Sequence, residues 1–119
     1  MLENIGIGVD IVDVNRFQKF PYATKKKFYK KIFLPSEIKY CLDFKNSALH
    51  FAGKFAAKEA VKKSIRETID ICDIEVVNTS SVPKIKLKKR LPYSFSVSIS
   101  HENGFAIAVV ISERKTKLK

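Results

Sequence analysis

Apolar and polar positions change their period along this chain, and the changes mark out its elements. Ile5-Gly-Ile-Gly-Val-Asp-Ile-Val12 is a short β-branched apolar run and predicts a buried strand. Asp13 is placed to cap a short helix over Val14–Phe20, which Pro21 stops. Thr24 is placed to cap a basic helix reaching Phe33. Pro35-Ser36-Glu37 opens a third helix to Phe44, with Ser36 as its N-cap, and Asn46 or Ser47 opens a long one to about Arg66. Beyond that point the period falls to two, giving strands over Ile74–Val77, Lys84–Lys88, Tyr93–Ser100 and Phe105–Ser112. Asn103-Gly104 is the expected hairpin turn between the last two. One strand, a helical block and then a strand meander make an α+β fold with a mostly antiparallel sheet, in a single domain over residues 1–119.

The long helix has an unusual face. Ala52, Ala56 and Ala60 lie along one stripe, where a surface helix would more often bury Leu or Ile, so another backbone or a ligand can come close. Glu59 and Lys63, four residues apart, share a side of the same helix.

Composition narrows the class of protein. The chain has 45% hydrophobic residues and nine Phe among 119 residues, which fits a folded globule. No apolar run approaches the roughly 20 residues of a membrane span. Met-Leu-Glu-Asn at the start lacks the layout of a secretion signal, and a cytoplasmic location is expected. Cys41 and Cys72 are far apart and belong to no Cys/His cluster, so they read as idle thiols. Lys plus Arg number 23 against 12 Asp plus Glu, a net charge of +11 that draws polyanions: nucleic acid, an anionic membrane, phosphorylated small molecules or an acidic protein. The basic residues are scattered over 25–27, 30–31, 84–90 and 114–119, and charge alone does not choose among these partners.

Candidate chemistry lies elsewhere. Gly6-x-Gly8 lacks the third glycine and the following helix of a dinucleotide fingerprint. Asp10 is an acid set in an apolar strand, which needs a partner: a Lys or Arg, a backbone cap, or a metal ion. Glu59 alone makes only an exposed pair with Lys63, worth ~0.3–0.5 kcal/mol. Taken together, Asp10 and Glu59 are the two carboxylates from separate elements that a magnesium–phosphate site uses. His101 ends the last alternating stretch, and the serines before it, Ser98 and Ser100, form a polar patch that could receive a phosphate. His50 reads as helix surface.

Three stretches now fall into order: Gly8-Val-Asp-Ile-Val-Asp-Val-Asn-Arg16, Phe51-Ala-Gly-Lys-Phe-Ala-Ala-Lys-Glu-Ala60 with Lys63, and Ser98-Ile-Ser-His101 followed by Phe105-Ala-Ile-Ala-Val-Val110. Across nearly the whole chain this resembles the bacterial holo-acyl-carrier-protein synthases, the short phosphopantetheinyl transferases. The resemblance implies their fold, an antiparallel sheet wrapped around one long helix, and a trimer with active sites at subunit interfaces. It implies transfer of 4'-phosphopantetheine from coenzyme A to a serine of apo acyl carrier protein, releasing adenosine 3',5'-bisphosphate, for fatty acid biosynthesis. By the same likeness Asp10 and Glu59 hold Mg2+, and Glu59, Lys63 and His101 are catalytic. Coenzyme A would be bound by Lys54, Lys62, Lys63, Pro83, Ser100 and His101, and Arg16 would meet the acidic carrier. Lys54 stands where the family commonly has Arg and keeps the charge without the bidentate fork. Ser64-Ile65-Arg66-Glu67 lacks the family's glycine-containing turn, and Ser81-Val82-Pro83 replaces its Gly-x-Pro.

Two other readings remain to be weighed. A basic nucleic-acid-binding domain without enzymatic activity would use the lysines and aromatics for phosphate contact and stacking, and would be indifferent to Asp10→Ala. A magnesium-dependent phosphate ester hydrolase on the same acid pair would turn over coenzyme A without any carrier.

Overall fold

The computed structural model describes residues 2–80 and 82–115. Ser81 and residues 116–119 of the basic tail lie outside the described residues. Strand β1 (Ile5–Asp13) is followed by helices α1 (Asn15–Lys19), α2 (Lys26–Ile32), α3 (Pro35–Leu42) and α4 (Ser47–Ser64). A 3-10 turn at Ile71–Asp73 leads into strands β2 (Ile74–Thr79), β3 (Val82–Leu87), β4 (Tyr93–Glu102) and β5 (Phe105–Arg114).

Asn46 caps α4 as expected, its Oδ1 accepting the Leu49 N–H. Asp13 Oδ1 accepts the Asn15 N–H, but it stands one residue before the cap position of α1, which Val14 holds. Two other expected caps also fall differently. Pro35 takes the first helical position of α3, where its fixed φ fits, so the cap residue is Leu34 and not Ser36. Glu37 then reaches back to accept the Leu34 N–H at 2.8 Å, and the Ser36 hydroxyl goes to Glu75 instead. Thr24 bonds to the Pro21 carbonyl in the turn before α2, leaving Lys25 at the cap.

All strand pairs are antiparallel, but the expected meander divides. β1, β5 and β4 form one sheet in that order, and β2 and β3 form a separate two-stranded one. The Asn103-Gly104 turn closes β4 onto β5 with both residues at positive φ, 51° and 82°, the conformation that a two-residue hairpin needs. Helix α4 lies across the inner face of the three-stranded sheet. A Cβ on Gly8 would stand 1.8 Å from the Ala60 carbonyl oxygen, and one on Gly6 1.7 Å from that of Ser64. Ala52, Ala56 and Ala60 are fully buried. The alanine stripe therefore admits a strand backbone, not a ligand. Phe17, Tyr29, Phe33 and Phe51 pack beside it, with Tyr29 and Phe51 edge to face at 4.7 Å.

β1 is not the buried strand that its apolar run implies. Its inner face carries Gly8, Asp10 and Val12, while Ile7, Val9 and Ile11 point outward. With Phe105, Val109 and Ile111 of β5 they form an apolar outer face whose members are 38 to 62% exposed.

Beneath α4 lies a buried ion pair. Lys58 Nζ stands 2.6 Å from Glu37 Oε1, both side chains at most 1% exposed. Glu37 Oε2 also accepts the Val76 N–H of β2 at 2.7 Å. Cys41 is buried nearby, and burial pushes its thiol up to about 12, which leaves it unreactive.

Candidate active site

α4 carries functional side chains on two flanks, and the sheet order decides what each flank meets. On the β1 flank, the close approach of Gly8 to Ala60 brings Asp10 alongside the helix. Lys63 Nζ reaches Asp10 Oδ1 at 3.0 Å and the Val9 carbonyl at 3.1 Å, bridging 53 positions of sequence. The helical Glu59–Lys63 pair gives way to this one, and Glu59 sits one turn before Lys63 on the same side. Asp10 Oδ2 and both oxygens of Glu59 have no hydrogen-bond partner among the described residues. Two carboxylates with free oxygens next to a lysine are a donor set that suits Mg2+, which takes one or two carboxylates and fills its octahedron with water and phosphate oxygens. Among the described residues no cluster of three or more His, Cys, Asp or Glu side chains forms.

On the β4 flank lies a groove of about 320 Å³, lined among others by Tyr40, His50, Lys54, Asn78, Pro83 and His101. His101 points inward from β4 over Gly53, where a Cβ would sit 3.2 Å from its Nε2. Lys54 is in the wall: 4% exposed, it donates to the Val76 carbonyl at 2.8 Å and to Asn78 Oδ1 at 2.6 Å. Its Nζ also stands 4.5 Å from the centre of the Tyr40 ring. Burial pulls this ammonium below the ordinary lysine range.

The expected serine patch beside His101 does not form. Strand alternation puts Val97, Ile99 and His101 on the inner face, opposite buried Val110, Ala108 and Ala106, and turns Ser98 and Ser100 toward the outer face. Ser98 borders the groove and Ser100 does not. Lys62 lies two turns beyond Lys54, on the stripe of buried Lys58, and does not line the groove either.

His50, read from sequence as surface, is a groove residue. It is half-buried and stacks on Phe44 with ring centres 3.7 Å apart. Burial, then the charges of His101 and Lys54, hold its imidazole below the usual histidine range. Its place four residues before Lys54 was the available signal. Asn78 was missed as well, although it continues the inward positions Ile74 and Val76 of β2.

The segment lacking the family's glycine is tied down by polar contacts. Tyr93 Oη donates to Glu67 Oε1, and Arg114 donates to Glu67 Oε2, each at 2.7 Å. The bonds from Arg114 and Tyr93 hold the Glu67 carboxyl down to about 2. On α1, Arg16 borders a hollow with Phe17, Phe20, Lys25 and Phe28, in which the exposed Phe20 and Phe28 rings sit between cations. Among the described residues no helix is long and apolar enough to cross a membrane.

Residues 6–110 match the family model of the 4'-phosphopantetheinyl transferase superfamily. A holo-[acyl-carrier-protein] synthase of Geobacter sp. strain M21 is 41% identical, with 92% of this chain and 98% of the relative covered. Among solved structures, the holo-(acyl-carrier-protein) synthase of Bacillus anthracis in complex with CoA (3',5'-ADP) superposes with a TM-score of 0.79 at 32% identity, over 92% of this chain and 96% of that one. The Helicobacter pylori holo-[acyl-carrier-protein] synthase in complex with coenzyme A gives 0.75 at 37% identity, over 90% and 99%.

Proposed function

The chain belongs to the 4'-phosphopantetheinyl transferase superfamily, and from that membership we propose that it is a holo-acyl-carrier-protein synthase. It transfers 4'-phosphopantetheine from coenzyme A to a serine hydroxyl of apo acyl carrier protein. The serine oxygen bonds to the phosphorus that bears the pantetheine arm. The bond from that phosphorus to the bridging oxygen breaks, and adenosine 3',5'-bisphosphate leaves with the electron pair. Displacement at a pyrophosphate needs alignment and charge neutralisation more than a strong nucleophile.

The observation that carries the mechanism is the Asp10–Lys63 contact beside Glu59. Mg2+ held by Asp10 and Glu59 would neutralise charge on the pyrophosphate. Lys63 would stabilise the leaving side, and Glu59, directly or through a water, would take the serine proton. His101 and His50 line the groove as hydrogen-bonding groups for the nucleotide phosphates, with the Lys54 charge in the wall behind them. Pro83 shapes its rim, while Lys62 and Ser100 lie outside it in a single chain.

The two flanks are separated by the body of α4, since Asp10 is on edge strand β1 and His101 on edge strand β4. A ligand held between the Asp10 flank of one chain and the His101 flank of its neighbour would use two chains, and the apolar outer face of β1 and β5 is a surface on which they would meet. Contacts of one flank with the opposite flank of a neighbour are head to tail and close as a ring, which fits a homotrimer. Mixing Asp10→Ala chains with His101→Ala chains, each inactive alone, is then expected to restore a substantial fraction of activity. No recovery after verified subunit exchange would place both residues in one subunit's site.

Arg16 and Lys25 beside Phe20 and Phe28 offer an acidic helical carrier both charge and apolar contact. Arg16→Glu is expected to raise KM for the carrier at least about tenfold, with KM for coenzyme A little changed. Equal effects on both substrates would remove Arg16 from carrier docking. The cytoplasm, where coenzyme A and acyl carrier protein are used in fatty acid biosynthesis, is the setting this reading implies. Mass spectrometry of apo carrier after incubation with the protein, coenzyme A and Mg2+ tests the whole reading. A carrier heavier by one phosphopantetheine arm, only with metal present, is expected; an unmodified carrier overturns the proposal.

A further inference from the structure

Lys54 is buried with its hydrogen-bonding capacity engaged. An ammonium group has three N–H donors and no acceptor. Two of them go to the Val76 carbonyl and Asn78 Oδ1, and the face of Tyr40 takes up the remaining side. The charge is present at the groove, but the ammonium is turned toward the protein. What it does to Asn78 follows from the same inventory. A lysine can only donate, so the Asn78 amide must present its oxygen to Lys54 and turn its NH2 away. No protein acceptor meets that NH2 among the described residues, and Asn78 lines the groove.

The amide is also held from below. Val76, two residues earlier on β2, gives its carbonyl to Lys54 and its N–H to Glu37, whose other oxygen is bound to Lys58. This chain of buried contacts fixes the strand that carries Asn78, so the donor is oriented before any ligand arrives.

We propose that Asn78 is a ligand-binding residue of this groove, donating from its side-chain amide to an anionic oxygen of bound coenzyme A, with Lys54 as the residue that positions it. The proposal rests on the transferase reading above. An amide donor is neutral, so it adds direction rather than charge to a groove that already has the Lys54 ammonium in its wall.

Calorimetric titration of coenzyme A and of adenosine 3',5'-bisphosphate into the wild type, Asn78→Ala and Asn78→Asp, with a melting curve for each, tests it. Losing one hydrogen bond to a charged group is expected to weaken both ligands about 10- to 100-fold in Asn78→Ala. Asn78→Asp keeps an acceptor for Lys54 and should melt no lower than wild type. It nevertheless has no donor and faces the ligand with a negative charge, so it should bind more weakly still. In a Lys54→Met background, or Lys54→Gln if the first does not fold, Asn78→Ala should cost less than about threefold, because the amide is no longer held.

Wild-type affinity in Asn78→Ala would overturn the proposal. So would wild-type affinity in Asn78→Asp, which would leave Asn78 only a holder of Lys54. An undiminished cost in the Lys54 background would remove the positioning role. Wild-type protein that binds neither ligand would instead overturn the transferase reading, and this assignment with it.

Discussion

Replacing Asp10 or Glu59 by alanine is expected to lower the rate of carrier modification at least about a thousandfold, or about 4 kcal/mol of transition-state stabilisation. The magnitude follows from what each carboxylate must do. The pyrophosphate and the departing bisphosphate are both highly anionic, and a divalent ion fixed against them supplies several kcal/mol that water cannot. Asp10 and Glu59 come from separate elements, and in the proposed site their free oxygens would be the donors that hold such an ion. Removing Glu59 would also remove the proposed acceptor of the serine proton, so its loss should be the larger. Neither change should unfold the protein. Lys63 keeps the Val9 carbonyl when Asp10 is truncated, and Glu59 has no protein partner among the described residues to lose. Initial rates followed by mass spectrometry, with circular dichroism melts of the same samples, separate the two effects. Near-normal turnover in Glu59→Ala would refute the metal-site argument.

Lys58→Met is expected to be strongly destabilising. It leaves the Glu37 carboxylate buried without its counter-ion, a cost of about 3–5 kcal/mol. In a chain of this size that lowers the melting midpoint by more than about 10 °C. Glu37 differs from the carboxylate of an isolated pair, because it also accepts the backbone N–H groups of Leu34 and Val76. Adding Glu37→Gln to Lys58→Met should therefore recover part of the loss: the charge disappears while one acceptor stays. Glu37→Leu on the same background should not, since two buried donors would be stranded. Thermal melts of the three variants settle the order. If Lys58→Met melted within a few degrees of wild type, the interior would be better hydrated than this packing allows.

Local signals were legible in the sequence where a single element decides them. Asn103-Gly104, the long helix and the two-residue alternation of the last strands all follow from short-range chemistry, and the structure reproduces their order. β1 misled because its alternation runs the opposite way to the usual one: Ile7, Val9 and Ile11 lie on the exposed face, while Gly8 and Asp10 turn inward with Val12. The serine patch failed for a different reason, since the alternation was visible and still places Ser100 and His101 on opposite faces. Asp10 with Lys63, Lys58 with Glu37, and Lys54 with Asn78 each join distant segments. Charged residues of that kind look like ordinary solvated surface until tertiary structure buries them. Residue chemistry suggested Asp10 and Glu59 as a pair, the resemblance to a known family added the role of Lys63, and no periodicity could have found Asn78's orientation.

The strand order has a kinetic consequence. β5 is the last strand along the chain, yet it occupies the middle of the three-stranded sheet, between β1 and β4. While a ribosome is still making it, β1 has no ladder partner, and the groove under the long helix lacks Ala106, Ala108 and Val110. The nascent chain must then hold Ile7, Val9 and Ile11 out of misplaced contacts until residues 105–114 emerge, when the first-made and last-made strands join in a single long-range closure. Slow late translation should increase the fraction that needs a chaperone, whereas a circular permutant opened between β2 and β3 would make β5 and β1 close neighbours in time and should fold faster.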